Sequence, residues 1–263
     1  MQASKRFLGW PSEAGKFIEL AMERHGGLNA WNACPRLQID VIAVSGVVWR
    51  LKGAGRRFAV PTQLIICPRN QEAIFPDYPT SGSQVTVVEG KVTLDKQSDS
   101  QSIKNYRSRF HGLRAKLHTW TPLDAAYFVG YSMPQYCGYP FTLPDLEFVA
   151  WRRGNDNIEL TLQYPEGIDS HCRKQLFHFD KTGLLQRVDY KVEIIGLGPT
   201  AAHHYMQYED VCGLQLPTRR QVVAKALGRT WPANLVTLEL TVRPFQESVI
   251  SRQPLAPSHT LNS

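Results

Sequence analysis

Four polar side chains late in the 263-residue chain have the types needed for acid–base chemistry: His171, Asp189, His203 and Arg219. Neighbouring antiparallel strands could bring them to one mouth of a curved sheet. A His–Asp pair can act as a general base, because the carboxylate orients the imidazole and raises its basicity. An arginine can bind a substrate carboxylate through two parallel hydrogen bonds. The alternative is structural, with an Arg–Asp ion pair between strands and the histidines on the rim.

A second candidate feature is the aromatic stretch YFVGYSMPQYCGYPF at residues 127–141. Its rings continue a helical spacing that starts at Trp120, so they share one face of a predicted helix. Such a stripe is either ordinary core or the wall of a pocket, where rings make contact and hydroxyls fix orientation. The pocket hypothesis predicts a ligand-binding set of Trp49, Trp120, Tyr127, Tyr131, Tyr136, Gln175 and Tyr190.

Motifs for metals and cofactors are missing from the sequence. His203 and His204 are adjacent, so on a strand they point to opposite faces. There is no H-E-x-x-H and no zinc spacing, and Gly196-Leu197-Gly198 runs into Pro199 without completing a dinucleotide-binding pattern. We therefore expect no metal and no cofactor.

The five cysteines are widely spaced and odd in number, which favours reduced thiols over a disulfide framework. Cys137 and Cys172 could act as nucleophiles only if activated, and we expect them to be inert buried thiols.

The net charge of +7 leaves open an anionic partner. Basic residues cluster at 50–57 and again at 104–116. No nucleic-acid motif accompanies them, so we expect a solvated face and no nucleic-acid partner.

The N-terminal segment MQASKRFLGWPSEAG has no apolar run of signal-peptide length, and no window approaches a membrane span of about 20 apolar residues. These features predict a soluble, cytoplasmic protein without a membrane span. The sequence does not fix its oligomeric state.

The hydrophobic periodicity predicts a mainly β (α+β) fold. A first helix begins near Ser12 and ends at Gly26-Gly27. From residue 36 the period is two, and residues 46–53 read as one of the strands. Residues 99–134 read as a helical insertion, in which Thr121-Pro122-Leu123-Asp124 begins a helix that Pro134 ends.

About eleven short strands joined by hairpins form one antiparallel sheet, and a sheet this long must curl. The expected architecture is a half-open barrel with an N-terminal helix and the inserted helical plug. We expect one domain over residues 1–246 and a disordered tail over 247–263.

Five segments resemble, in order and spacing, a widespread group of bacterial proteins that is similar to the LolA-like superfamily. They are HGGLNAW, LDAAYFVGYSMPQY, FDKTGLLQRVDY, AAHHY and GLQLPTRRQV. The resemblance implies a half-open antiparallel barrel with helices in its concave side and a hydrophobic cavity between sheet and helices. It implies nothing firm about activity, because fold does not fix function.

Two functions follow as hypotheses. The first is binding of a small hydrophobic or aromatic molecule in the cavity. The second is a cofactor-independent enzyme, such as a cyclase, isomerase or decarboxylase, that acts on a hydrophobic biosynthetic intermediate by general acid–base chemistry. The second requires an imidazole within hydrogen-bond reach of both the cavity and a carboxylate.

Overall fold

The computed structural model describes residues 7, 9–97, 99–196, 198–227 and 229–246. The helices are α1 (Ser12–Arg24), α2 (Gly27–Ala33), α3 (Val47–Lys52), α4 (Leu113–Leu117) and α5 (Pro122–Gly138). Short 3-10 turns lie at Pro68–Asn70, Tyr106–Phe110 and Leu143–Asp145. The predicted tail at 247–263 lies outside the described residues.

Thirteen strands form one sheet. They are β1 (Leu37–Ser45), β2 (Gln63–Cys67), β3 (Glu72–Pro76), β4 (Gln84–Val88), β5 (Lys91–Lys96), β6 (Asp99–Ile103), β7 (Glu147–Arg153), β8 (Asn157–Gln163), β9 (Lys174–Asp180), β10 (Leu185–Lys191), β11 (Thr200–Val211), β12 (Leu214–Ala226) and β13 (Arg229–Pro244).

The strand order is β6-β5-β4-β3-β2-β1-β13-β12-β11-β10-β9-β8-β7. Every pairing in it is antiparallel, and all but one joins strands that are consecutive in the chain. The exception is β1 with β13, which joins the first and last strands at the middle of the sheet. Within the described residues β6 and β7 each have one neighbour, so the sheet is open.

This order explains why the helical insertion crosses the sheet. β6 and β7 are consecutive in the chain but lie at opposite edges, so the segment between them must traverse one face. In its main helix, α5, Gly130 packs against Val87 of β4. On the other side, Cys137 Sγ of α5 accepts a hydrogen bond from Arg220 of β12. Strands from both halves of the sheet therefore wrap around α5, as the predicted curled half-barrel requires.

The concave face also receives α1. Phe177 and Phe179 are two residues apart on β9 and so share a face. Phe177 packs on Tyr139 just after α5, with ring centroids 5.1 Å apart, and Phe179 packs on Phe17 of α1 at 5.5 Å. Both helices thus bury apolar stripes against the same side of the sheet.

Several details differ from the sequence-based prediction, which has about eleven strands where the described residues form thirteen. Residues 46–53 are not a strand: Val48, Trp49 and Lys52 are buried at helical spacing in α3. Residues 99–103 are not helical but form β6, whose side chains are all exposed. Pro134 does not end α5, which continues to Gly138.

The fold class was predicted correctly, and so was the start of α5. Thr121 Oγ1 accepts a hydrogen bond from the backbone N–H of Asp124 at 3.2 Å, and Asp124 Oδ2 accepts one from the N–H of Thr121 at 2.8 Å. This reciprocal pair is the capping box that the sequence indicates. α1 begins at Ser12, as the sequence predicts, and no side chain caps its first turn.

Candidate functional site

An apolar cavity lies between α5 and the concave face of the sheet. It encloses about 50 Å3 of space that water could occupy. α5, α3 and strands β1, β10, β11, β12 and β13 form its wall, together with the loops at 60–61, 171 and 192–199. The lining residues include Val41, Trp49, Phe128, Ser132, Met133, Tyr136, His171, Tyr190, His203, Val222, Val236, Leu238 and Leu240.

Local periodicity produces this lining. On α5, Phe128, Ser132 and Tyr136 follow at intervals of four and so stand on one helical face. On β13, Val236, Leu238 and Leu240 alternate and so project to one side of the strand. At the mouth, several lining side chains are only half-buried, among them Val41 of β1 and Leu238 of β13. The cavity is therefore apolar from its mouth inward.

A chain of hydrogen bonds runs along one wall. Tyr131 hydroxyl lies 2.8 Å from His171 Nδ1, and Tyr136 hydroxyl bonds His171 Nε2. Tyr136 hydroxyl lies 3.3 Å from that of Tyr190, which lies 3.2 Å from His203 Nδ1. His203 Nε2 is buried and has no hydrogen-bond partner among the described residues. The chain thus begins beside α5 and ends at an imidazole nitrogen beside the cavity.

Burial keeps every member of this chain neutral near pH 7. It lowers the pKa of His171 to about 3, with Arg107 adding to the effect, and it lowers the pKa of His203 well below its ordinary value. Burial also raises the pKa values of Tyr131 and Tyr190 well above the ordinary value for tyrosine. A neutral imidazole has one donor and one acceptor nitrogen, so one tyrosine donates to His171 and the other accepts from it.

An arginine that sequence reasoning missed lies behind this wall. Arg220 of β12 is 1% exposed, and its guanidinium carbon lies 5.3 Å from the ring centre of Tyr136 and 5.6 Å from that of Tyr205. Its N–H groups point to sulphur, with Nη2 3.3 Å from Cys137 Sγ and Nη1 3.7 Å from Met133 Sδ. Among the described residues no carboxylate forms an ion pair with it.

The structure does not bring together the four residues of the predicted acid–base group. His171 and His203 line the cavity. Asp189 faces the opposite side of the sheet, because it alternates with Tyr190 along β10, and there it binds His178 Nε2 at 3.0 Å and Arg187 Nε at 2.8 Å. The predicted structural alternative was an Arg–Asp ion pair between strands, with the histidines on the rim. Asp189 does pair with an arginine, but Arg187 lies on the same strand, β10, and His171 and His203 are buried.

Arg219 also lies outside the cavity. Its side chain is 47% exposed and forms an ion pair with Glu239, with Nε 3.6 Å from Oε1. The next residue in β12, Arg220, is the one that faces inward.

The predicted ligand-binding residues divide into two groups. Trp49, Tyr136 and Tyr190 line the cavity. Trp120, Tyr127, Tyr131 and Gln175 are buried but do not line it.

The contacts of the second group explain their positions. Tyr127 donates to Asp169 Oδ2 at 2.8 Å, Gln175 donates to the carbonyl of Cys172 at 3.2 Å, and Trp120 packs on Phe128 at 5.0 Å between ring centres. Tyr131 contributes to the hydrogen-bond chain instead.

The basic clusters are partly structural. Lys52 is 3% exposed and donates to the carbonyl oxygens of Lys116 and of His118. Arg107 donates to the carbonyl of Ser170 at 2.7 Å and to Glu193 at 3.0 Å. These two cations hold segments of the insertion in place.

Cys137 and Cys172 are both buried, and burial raises the pKa of the Cys172 thiol. In the part of the chain that the structure describes, no group of three or more His, Cys, Asp or Glu side chains is placed to hold a metal ion. Among the same residues, no helix has both the length and the apolarity to cross a membrane.

Comparison with known proteins gives similarities of structure only. No family model and no curated protein matches the chain significantly. A LolA superfamily protein from Nitrosomonas europaea is 14% identical, with a TM-score of 0.45 over 88% of this chain and 93% of that one. A DUF1329 family protein from Desulfovibrio piger is 12% identical, with a TM-score of 0.43 over 87% and 92%.

The lipoprotein LppX from Mycobacterium tuberculosis is 10% identical, with a TM-score of 0.27 over 88% of this chain and 95% of that one. All three sequence identities are 14% or lower.

Proposed function

We propose that this protein binds a small hydrophobic molecule between α5 and the concave face of the sheet. The observation that carries the proposal is the cavity wall, which is apolar from its half-buried mouth to its inner end. Water is poorly stabilised in such a space because it finds few hydrogen-bond partners there. An apolar molecule gives up no hydrogen bonds by entering. Rings such as Trp49 and Phe128 supply broad contact surfaces for it.

The size of the cavity constrains the ligand and its mode of entry. Pockets that hold drug-sized ligands measure about 300–1,000 Å3, whereas this one encloses about 50 Å3. A larger ligand must therefore displace lining side chains. Met133 is suited to this, because its unbranched side chain has three rotatable bonds and adapts to irregular spaces.

The same geometry favours binding over catalysis. The enzyme hypothesis needs an imidazole paired with a carboxylate, and Asp189 faces the other side of the sheet. A histidine whose pKa is lowered to about 3 is a weak base at neutral pH, where a general base works best with a pKa near the working pH.

Fluorescence titration with the apolar probe N-phenyl-1-naphthylamine tests the proposal, and adjacent residues of β1 give a matched pair of variants. Val41 lines the cavity mouth, whereas Ile42 is 65% exposed. We expect Val41→Asp to weaken probe binding by about tenfold or more, because an unpaired carboxylate is costly beside apolar surface. Ile42→Asp should bind like the wild type.

Native mass spectrometry of the wild-type protein provides a test that does not depend on a variant's folding. We expect a co-purified small molecule or a stoichiometric adduct with the added probe. If the wild type neither carries nor takes up any apolar molecule, the proposed function is wrong.

A further inference from the structure

A buried positive charge without a matching negative one lies behind the wall of the cavity. Arg220 keeps its proton at any physiological pH. Its neighbours are two tyrosine rings, two sulphurs and the carbonyl of Pro217, which accepts from Nε at 3.4 Å. Ring faces stabilise a cation, but sulphur is a weak acceptor for a guanidinium N–H. The strongest partner for this group, a carboxylate, is missing from the described residues around it.

Two further buried polar atoms beside Arg220 have no hydrogen-bond partner in the described structure: His203 Nε2 and the hydroxyl oxygen of Tyr205. The ring centres of His203 and Tyr205 lie 4.6 Å apart, and Tyr205 is one of the two rings under the guanidinium. Buried polar groups are nearly always paired, so three under-satisfied groups in one place call for an explanation. A polar group of a ligand would pair all three.

Position links this cluster to the cavity. Arg220 and Val222 are two residues apart on β12, so they share the concave face at a separation of about 7 Å. Val222, Met133, Tyr136 and His203 line the cavity, and two of these, Met133 and Tyr136, contact the guanidinium directly. A shift of the flexible Met133 side chain would open a path from the cavity to the arginine.

We propose that the ligand is a hydrophobic carboxylic acid, whose carboxylate binds Arg220 while its apolar body fills the cavity. This inference rests on the proposed function and specifies its ligand class. The planar guanidinium matches a carboxylate through two parallel N–H bonds, which replace its contacts with the two sulphurs. Tyr205 donates its hydroxyl hydrogen to the same group, and His203 donates from Nε2 in the tautomer whose Nδ1 accepts from Tyr190.

Isothermal titration calorimetry with octanoate and with 1-octanol tests the inference, since the two differ only in the head group. We expect the wild type to bind octanoate at least tenfold more tightly than 1-octanol. Arg220→Met should lower octanoate affinity by roughly tenfold or more, because a charge-assisted bond is lost, and should leave 1-octanol affinity unchanged. Arg219→Met removes the same charge from the neighbouring exposed position and should change neither affinity.

The outcomes separate this inference from the proposed function. If the wild type binds both molecules equally, or if Arg219→Met weakens octanoate as much as Arg220→Met, the carboxylate site is wrong although hydrophobic binding stands. If it binds neither octanoate, 1-octanol nor the naphthylamine probe, the proposed function fails as well.

A measurement on the wild type alone covers the case in which Arg220→Met does not fold. Between about pH 7.5 and about pH 5.5 the neutral fraction of a fatty acid rises by tens of fold, while most of it stays ionised. Capture of the anion by Arg220 predicts nearly constant octanoate affinity over this range. Capture of the neutral acid by an apolar cavity predicts affinity that rises tens of fold as the pH falls, and that result would overturn the inference.

Discussion

At the scale of single residues, the hydroxyl of Tyr136 is the centre of the cavity wall. It bonds His171 Nε2 and also lies within reach of the Tyr190 hydroxyl. Tyr136→Phe would leave His171 with a buried, unpaired nitrogen. We expect a loss of about 1–3 kcal/mol in the free energy of unfolding, measured by urea denaturation.

Tyr205→Phe is the matched control, because it removes a buried hydroxyl that has no partner among the described residues. Its removal should leave the stability of the ligand-free protein unchanged or raise it. If both variants lose the same free energy, the hydrogen-bond chain does not stabilise the fold in the way its distances indicate.

His171 gives the protein a pH dependence with a definite sign. Its pKa falls from an ordinary value of 6.5 to about 3 on folding, so between these values the unfolded chain binds more protons. The contribution of neutral His171 to the free energy of unfolding is therefore fully present above about pH 6.5 and decreases as the pH falls toward 3. From pH 7 to pH 5, His171 alone should remove about 2 kcal/mol from the free energy of unfolding.

Urea denaturation at the two pH values measures this loss, and His171→Gln should reduce it. The exposed His111 provides the control, since His111→Gln should lose as much as the wild type. A wild type equally stable at pH 5 and pH 7 would show that His171 is not held neutral by burial.

Sequence patterns located this region but could not choose between adjacent residues. Alternation places either Arg219 or Arg220 on the concave face, and only the pairing of β12 with β11 and β13 decides which. The register sets Arg220 opposite Tyr205 and Leu238. In the same way, the register of β10 places Tyr190 inside and Asp189 outside, where it pairs with His178. Such choices depend on contacts between segments far apart in the chain.

At the scale of elements, local sequence signals predicted where a helix begins better than where it ends. The capping box of α5 involves residues three apart, so the sequence alone displays it. Pro134 reads as a helix end because it lacks an N–H, yet α5 continues past it with Tyr136, Cys137 and Gly138 buried. Burial in the concave face, a tertiary effect, outweighs the lost hydrogen bond. A tertiary effect also explains why the α3 segment was not predicted as a helix. Its buried face contains Lys52, and a hydrophobic pattern does not count lysine as a buried residue.

The close packing of α5 on β4 leads to a prediction for Gly130. A Cβ at Gly130 would lie 2.6 Å from Val87 Cβ, closer than real contacts allow. Gly130→Ala should therefore push α5 away from β4 and lower the free energy of unfolding by about 1–3 kcal/mol. Chemical denaturation monitored by tryptophan fluorescence measures the loss.

Gly15 in α1 is the matched control for the same substitution in a helix. A Cβ there meets Phe7 at 3.5 Å, which is an ordinary contact. Gly15→Ala should leave the protein equally stable or more stable by up to about 1 kcal/mol, because alanine favours helix over glycine. Equal losses at the two positions would contradict tight packing of α5 on β4.

At the scale of the whole molecule, the pairing of β1 with β13 organises the fold. Hairpin signals predicted most neighbouring pairs, but no local signal joins residues 37–45 to 237–244. This pairing makes one sheet from two meanders and leaves β6 and β7 at opposite edges. The insertion must then cross the concave face, where it forms the cavity. The pairing of β1 with β13 therefore matters most for the site, although no local sequence signal predicts it.

Amide hydrogen exchange across the chain tests this view of the molecule. β13 is the central strand of the thirteen and pairs with β12 along residues 229–239 and with β1 along residues 237–244, whereas β6 is an edge strand with every side chain exposed. Local opening requires less free energy where burial is low. We expect β1, β12 and β13 to exchange slowest and β6 to exchange by orders of magnitude faster. Because β1 and β13 pair with each other, their slowest amides should open with similar free energies. If β1 exchanges as fast as β6, this central pair does not hold the two meanders together.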